Sequence, residues 1–271
     1  MIKAVSSASN PTVKLLTGLR LRKHREESGL FLAEGARMAL EGLSAGAVPR
    51  ILAYSASAAN QREVQTLRDA CLKAGGACLV VTDKILAKIA RKDNPQLVTA
   101  AFACRIRDLK ELRPDRNGVF VALDRVRDPG NLGTIIRTAD AVGAAGILLV
   151  GDCCDPYAAE SVRASMGSIF NVPIFTCDEV GFVALAKNWP GTVAGTSPTA
   201  ATGYRSVSYE GAVLAVLGSE QSGLSPAMAR LCGRMVRIPI YGKPESLNLA
   251  VACGIFLYGI RESRAGLWPG A

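Results

Sequence analysis

Six apolar runs in the second half of the chain restrict its fold more than any other feature. GVFVALD (118–124), GILLV (146–150), VPIFT (172–176), TVAGT (192–196), AVLAVL (212–217) and MVRIPI (235–240) are continuous rather than alternating, and helical segments separate them. A strand that is apolar on both faces has to be covered on both faces, which is the condition of a mostly parallel sheet flanked by helices. The expected fold is therefore α/β, closed by a last helix over about 246–263 that carries Leu247, Leu249, Val251, Ile255 and Leu257.

Residues 1–107 read as a separate and smaller α/β domain. Asn10-Pro11 is a good helix start, and the helix is expected to run to about Arg25. GLFLA (29–33), RILAY (50–54), ACLVV (77–81) and VTAAFAC (98–104) read as strands, with helices over 35–45, 60–74 and 83–91 between them. The stretch DLKELRPDRN (108–117) is charged, holds a proline and interrupts the apolar pattern. It is the expected linker, which leaves 118–271 as the second domain.

Charge separates the two halves. Residues 1–107 hold 17 Lys and Arg against 8 Asp and Glu, whereas 108–271 hold 15 against 15, so the first domain carries the whole excess. Phosphate backbones are bound largely through Lys and Arg with release of counterions. The dense group Lys14, Arg20, Arg22, Lys23 and Arg25 is thus the candidate contact with a polyanion, with a merely solvated basic face as the alternative. No apolar run approaches the ~18 residues that span a bilayer, and the polar start MIKAVSSASN lacks the layout of a signal peptide. A cytoplasmic protein without a membrane partner is expected. The eight cysteines include no C-x-x-C pair and are accompanied by one histidine, so they are expected to be reduced, mostly buried thiols rather than a metal site.

In open parallel sheets, ligands sit beyond the carboxyl ends of the strands. That rule selects DRVRDPGNLGTIIRTAD (124–140), SPTAATG (197–203), GSEQSGLS (218–225) and PIYGKPESLN (239–248), all rich in glycine, proline or small polar residues. The dinucleotide fingerprint is absent, because PGNLGT comes six residues after the strand and does not read G-x-G-x-x-G. There is no phosphate-binding G-x-x-x-x-G-K-[ST], and GSEQSG is not a G-x-S-x-G nucleophile elbow. His24, the only histidine, lies in the basic amino-terminal segment, which argues against a Ser-His-Asp mechanism. Transfer of a methyl group from a sulfonium donor suits this shortage, since it needs no histidine base, metal or covalent nucleophile.

Three segments occur in the order LDRVRDPGNLGTIIRTADAVGA (123–144), LGSEQSGLS (217–225) and IPIYGKPESLNLAVACGIFLYGIRE (238–262), with SVRASMGSIFNVPI (161–174) between the first two. They resemble the motifs of the SpoU branch of the SPOUT methyltransferases, which are RNA ribose 2′-O-methyltransferases. FLAEG (31–35) and the helix after it resemble the substrate-binding domain often fused to that family, which is related to an RNA-binding ribosomal-protein fold. The resemblance implies a trefoil knot in the carboxy-terminal domain, S-adenosylmethionine as cofactor, RNA as substrate, with ribosomal RNA favoured over transfer RNA, and a homodimer with Phe256 and Tyr258 exposed on the last helix. Carried onto matching positions, the cofactor would be held at Thr196, Gly218, Ile238 and Leu247. The polar constellation would be Asn131, Arg137, Glu220, Ser246 and Asn248. Taken by themselves these residues have ordinary explanations. Ile238 and Leu247 read as core, Asn131 and Ser246 as helix N-caps, Glu220 as a cap for the next helix, and Arg137 as a surface partner of Asp140. Asn248 reads as lying inside the last helix, where asparagine is a poor former. A guanidinium with a pKa above ~12 is a poor base, so Arg137 is expected to grip a phosphate and align the ribose rather than take its proton. The competing classes are a transfer-RNA methyltransferase, a non-catalytic RNA-binding or ribosome-assembly factor on the same fold, and a nucleotide-dependent oxidoreductase without its fingerprint.

Overall fold

The computed structural model describes residues 2–266, so Met1 and 267–271, the outer ends of the two expected domains, lie outside the described residues. The chain forms two compact units, Met1–Cys104 with Asp155–Asn171, and Arg105–Cys154 with Val172–Ala271.

The first unit begins with β1 (Ile2–Val5), α1 (Pro11–Gly18), α2 (Arg22–Ser28), β2 (Leu30–Glu34) and α3 (Ala36–Ser44). It continues through β3 (Ile51–Ser55), α4 (Arg62–Lys73), β4 (Ala77–Val81), α5 (Asp83–Ala90) and β5 (Val98–Ala103). Its five strands lie in the order β1-β4-β3-β5-β2, parallel through β1, β4 and β3 and antiparallel at β3–β5 and β5–β2. The helix expected to reach Arg25 is broken. Asn10 caps α1 by accepting from Thr12 N and Val13 N, but after Gly18 the chain turns so that Leu19 is buried, and α2 starts anew at Arg22.

Here the second unit begins, with β6 (Ile106–Asp108), β7 (Val119–Asp124), α6 (Pro129–Ala141) and β8 (Gly146–Val150). The stretch expected to be a linker is built into it. β6 pairs with a strand of the large sheet, Asp108 and Glu111 form a capping box, and Leu112 is buried in the core. The chain then returns to the first unit for residues 155–171, which hold α7 (Ala159–Ala164). This is a departure from the expected contiguous second domain, and its cause is packing that a local reading cannot see. Asp155 takes two hydrogen bonds from the buried Arg25 guanidinium, at 2.8 and 2.5 Å. Tyr157 and Phe170 join the rings of Phe31 and Phe102, with centroids 4.5–6.1 Å apart. The Phe170 ring lies so close to α3 that a Cβ on Gly42 would meet its Cζ at 2.8 Å, and an alanine there would force the ring to shift.

The rest of the second unit is β9 (Ile174–Cys177), α8 (Glu179–Lys187), β10 (Gly191–Thr196), β11 (Thr202–Gly203), β12 (Ala212–Leu217), α9 (Pro226–Leu231), β13 (Arg234–Arg237) and α10 (Leu249–Arg264). The sheet order is β11-β13-β10-β12-β7-β8-β9-β6, and every neighbouring pair in it is parallel. One face carries Phe120, Ala122, Leu148, Leu214 and Val216 against Phe182 of α8 and Met228 of α9. The alternate residues Val119, Val121, Leu123, Val213 and Ala215 are buried as well, which explains why the runs are apolar throughout. α10 packs along α6 and reaches β12. Near the far end of this pair Arg261 donates to the carbonyls of Val142, at 2.9 Å, and Gly143, where α6 ends and a cation is favoured by the helix dipole. Phe256, expected to be exposed, is fully buried, while Val251 and Tyr258 are the exposed apolar residues of α10. Among the described residues no helix is long and apolar enough to cross a membrane.

Candidate active site

The carboxyl ends of β13, β10, β12 and β7 are neighbours in the sheet, and between β7 and β12 the chain order changes direction, where open sheets place their ligands. Thr196 ends β10, Gly218 follows β12 and Ile238 follows β13, so three of the four expected cofactor residues stand side by side at this edge. Gly218 has no room for a side chain, since an added Cβ would overlap the carbonyl carbon of Gly223 and the nitrogen of Leu224, well inside 3.0 Å. The loop thus folds flat over the strand end, held by Ser219 N to Gly223 O at 3.1 Å and Gly223 N to Ser219 O at 3.0 Å. Ile238 is half-buried and Leu247 is 36 % exposed, so neither is the core residue that its type would imply.

Beyond the strand ends, three chain-distant side chains close on one another. Asn131 Nδ2 donates to Glu220 Oε1 at 3.0 Å, and Asn248 Nδ2 donates to Asn131 Oδ1 at 2.9 Å. Asn248 Oδ1 in turn accepts from Ala250 N at 2.9 Å and Val251 N at 3.3 Å. Every amide here has one possible orientation. A carboxylate only accepts, so Asn131 must turn its NH₂ to Glu220, and the first free N–H groups of α10 require the Asn248 oxygen. Glu220 Oε2 also accepts from Arg127 N at 3.4 Å.

Three capping expectations fail together. Asp128, not Asn131, caps α6, accepting from Asn131 N at 2.6 Å. Asn248, not Ser246, caps α10, and Ser225 rather than Glu220 caps α9. Asn248 therefore has the ordinary structural reason that it lacked as an interior helix residue, and its NH₂ is left free to reach Asn131. Replacing Asn248 with alanine should cost about 1 kcal/mol as a lost cap, a fall in Tm of roughly 2–4 °C for a chain of this size. It should also free Asn131, seen as a side-chain amide resonance that moves in the variant; an unchanged resonance would show that the bridge does not form in solution.

Sequence reasoning overlooked Asp124, which is buried and accepts from Arg125 Nε at 2.8 Å and Ser225 N at 2.9 Å. It ties the loop after β7 to the loop after β12 from below, as Asn131 and Glu220 do from above. Its signal was present in the pair of aspartates flanking RVR in LDRVRDPGN, one at the strand end and one at the helix cap. Cys154 is half-buried near the same loops; burial first, then the negative charges of its neighbours including Glu220 and Asp128, push its thiol up to about 12. At neutral pH it remains a thiol and offers no nucleophile. The eight cysteines are all free, four of them buried and four half-buried.

Arg137 and Ser246 are not joined to this set. Arg137 is exposed on α6, six residues after Asn131, or ~9 Å along the axis. Its guanidinium pairs with neither Asp140 nor any other group among the described residues. Ser246 is exposed in the loop before α10. The basic residues of the first unit fare unevenly. Arg20 donates to Glu34 and to Ile89 O, and Arg25 is 5 % exposed and spent on Asp155 and Leu19 O, so both are structural and are withdrawn as RNA contacts. Arg22 pairs with Glu26 at 2.8 Å and Lys23 with Glu27 at 3.8 Å, both at the surface, and Lys14 is exposed.

Residues 118–258 match the model of the SpoU rRNA Methylase family. The chain belongs to the SpoU rRNA methylase family. In this SpoU methylase residues 10–100 also match the MRM3-like substrate binding domain. It is 30% identical over 261 residues to the 23S rRNA (guanosine(2553)-2′-O)-methyltransferase RlmP of Bacillus subtilis, covering 96% of this chain and 100% of that one. The 23S rRNA (uridine(2479)-2′-O)-methyltransferase of Streptomyces viridochromogenes is 30% identical, covering 90% and 87%. The AdoMet-bound rRNA methyltransferase from Sinorhizobium meliloti superposes with a TM-score of 0.90 at 39% identity, covering 99% of each chain.

Proposed function

We infer that this protein is an S-adenosylmethionine-dependent methyltransferase that modifies a ribose 2′-hydroxyl of 23S ribosomal RNA. The observation that carries the reading is the closed set Asn131–Glu220–Asn248 at the carboxyl ends of a parallel sheet, in a chain that aligns over almost its whole length with two rRNA 2′-O-methyltransferases.

The edge fits S-adenosylmethionine. Gly218 presents no side chain where its loop folds over the strand end, and Ile238 and Leu247 keep exposed apolar surface for a purine or an aliphatic chain. Thr196, Gly218, Ile238 and Leu247 would hold the cofactor, which supplies a methyl group on a cationic sulfur and a neutral leaving group. Asn131, Glu220 and Asn248 fix the three loops so that the site is assembled before substrate arrives. Arg137 binds the phosphate beside the target ribose and aligns its 2′-oxygen, and Ser246 contributes a hydroxyl from the loop before α10. The α10 helix carries Val251 and Tyr258 exposed, and this surface would pair two copies of the chain. The trefoil knot belongs to the same reading, with α10 returning to pack on α6 after the chain has passed through β13 at the far side of the sheet. Lys14, Arg22 and Lys23 would contact RNA phosphates, and the place of action is the cytoplasm, with the ribosome.

Purified protein given methyl-labelled S-adenosylmethionine and 23S rRNA from cells lacking it should place label in one 2′-O-methylnucleoside, identified by resistance of the adjoining phosphodiester to alkali. Label found only on bases, or in transfer RNA and not in 23S rRNA, would defeat the reading.

A further inference from the structure

A cavity lies within the first unit, with a volume of about 270 Å³. Its apolar lining is Leu32, Met38, Val162 and Met166, and its polar lining includes Gln96, Arg37 and Arg163. The wall is completed by α7, so the cavity exists only because residues 155–171 are folded into this unit. Met166 stands out in it: φ is 50°, a conformation that residues with a Cβ rarely adopt, and the residue is 50 % exposed. A large thioether held open to solvent in an unfavourable backbone conformation is costly for the fold alone.

The charged lining is Arg37, Lys92 and Arg163 against Glu34 and Glu41, a net positive charge. Glu34 is neutralised from both sides, by Arg20 on one oxygen and Lys92 on the other, the latter at 2.8 Å. Arg37 and Arg163 are exposed, and their guanidinium groups pair with nothing among the described residues. The unit as a whole carries 16 Lys and Arg against 10 Asp and Glu. The ligand must therefore be anionic at the rim and apolar inside, with an edge that an amide can read. The volume falls below the ~300–1,000 Å³ of sites for drug-sized molecules, which limits the guest to one small unit.

We infer that this cavity receives one unstacked nucleotide of the RNA substrate, its base between the Met38 and Met166 thioethers, its edge at the Gln96 amide and its phosphate on Arg37 and Arg163. Thioether sulfur packs well on aromatic rings, guanidinium forks bind phosphate in two places, and single-stranded RNA is recognised through bases swung out of the stack. The inference rests on RNA being the substrate, and it assigns to the first unit the reading of one base rather than a general hold on the backbone.

The five methionines give a direct probe. In protein labelled at the methionine methyl carbons, each of AMP, GMP, CMP and UMP is titrated while the spectrum is followed, with Met228 and Met235 of the other unit as internal references. Shifts confined to Met38 and Met166, stronger for one base than the rest and lost in the double variant Arg37→Ala/Arg163→Ala, are expected. The same variant should raise KM for RNA about tenfold with kcat and S-adenosylmethionine affinity unchanged, because its substitutions are at exposed positions and leave the methyl-transfer site intact. Absence of shifts for all four nucleotides, shifts that persist in the double variant, or an unchanged KM would each overturn the inference. Wild-type protein that methylates no RNA counts against the proposed activity instead, and the methionine spectra still decide the pocket.

Discussion

Replacing Arg137 with alanine is expected to lower kcat for methyl transfer about 10³-fold while S-adenosylmethionine affinity stays within twofold. The side chain is exposed and pairs with no other group among the described residues, so its loss removes no packing and strands no partner. Its value is to hold a phosphate, and through it the 2′-oxygen, in line with the bond being broken. Alignment of reacting atoms is worth ~7–11 kcal/mol in well-oriented systems, of which one positioning contact supplies a part. A lysine at the same place should recover little, since a point charge cannot reproduce the two-pronged grip. The measurement is single-turnover methylation at saturating RNA, with calorimetric titration of the cofactor beside it. Near-normal turnover in Arg137→Ala would remove the residue from the mechanism.

Gly218→Ala carries the second large effect. Because the clashing atoms belong to the backbone of Gly223 and Leu224, no side-chain rotation can relieve the overlap. The loop must lift from the strand end, and Glu220, two residues on, is drawn away from Asn131. S-adenosylmethionine affinity should fall about 100-fold, or ~2.8 kcal/mol at 1.4 kcal/mol per tenfold, with a lower Tm. Gly223 is the internal control: it has φ +64° but open space around its missing Cβ, so Gly223→Ala pays for the left-handed backbone alone, roughly 1–2 kcal/mol of stability. A Gly218→Ala protein with wild-type affinity would show that the loop is not part of the cofactor site.

The large sheet was legible because its signal is redundant. The runs of β7, β8 and β12 are buried along their whole length, on both faces, and all six runs are strands of the structure within a few residues of the expected ends. The site was legible by motif but not by local chemistry. Asn131 was read as a cap and Asn248 as an interior helix residue, whereas Asp128 and Asn248 are the caps, because asparagine, aspartate and serine are nearly equal as caps and several occur within each loop. What sets the choice is a bond to a residue far along the chain, and periodicity carries no information about that. Two members of the basic cluster were misread for the same reason. Charge counting sees Arg20 and Arg25 but not Glu34 or Asp155, which bind them. Strand β1 escaped notice because it is short and mostly exposed, earning its place by pairing with β4 rather than by burial.

One pairing has a bearing on how the molecule is made. The middle of the large sheet joins Val119 to Val213, so β7, among the first strands of its unit to leave the ribosome, has a bare edge until β12 emerges. Synthesis at ~5–20 residues per second leaves that edge open for some seconds, and a buried-type strand with an open edge is prone to pair with a neighbouring nascent chain. Crowded polysomes are where this enzyme would be at greatest risk of aggregating, and a holding chaperone would act most usefully in that interval.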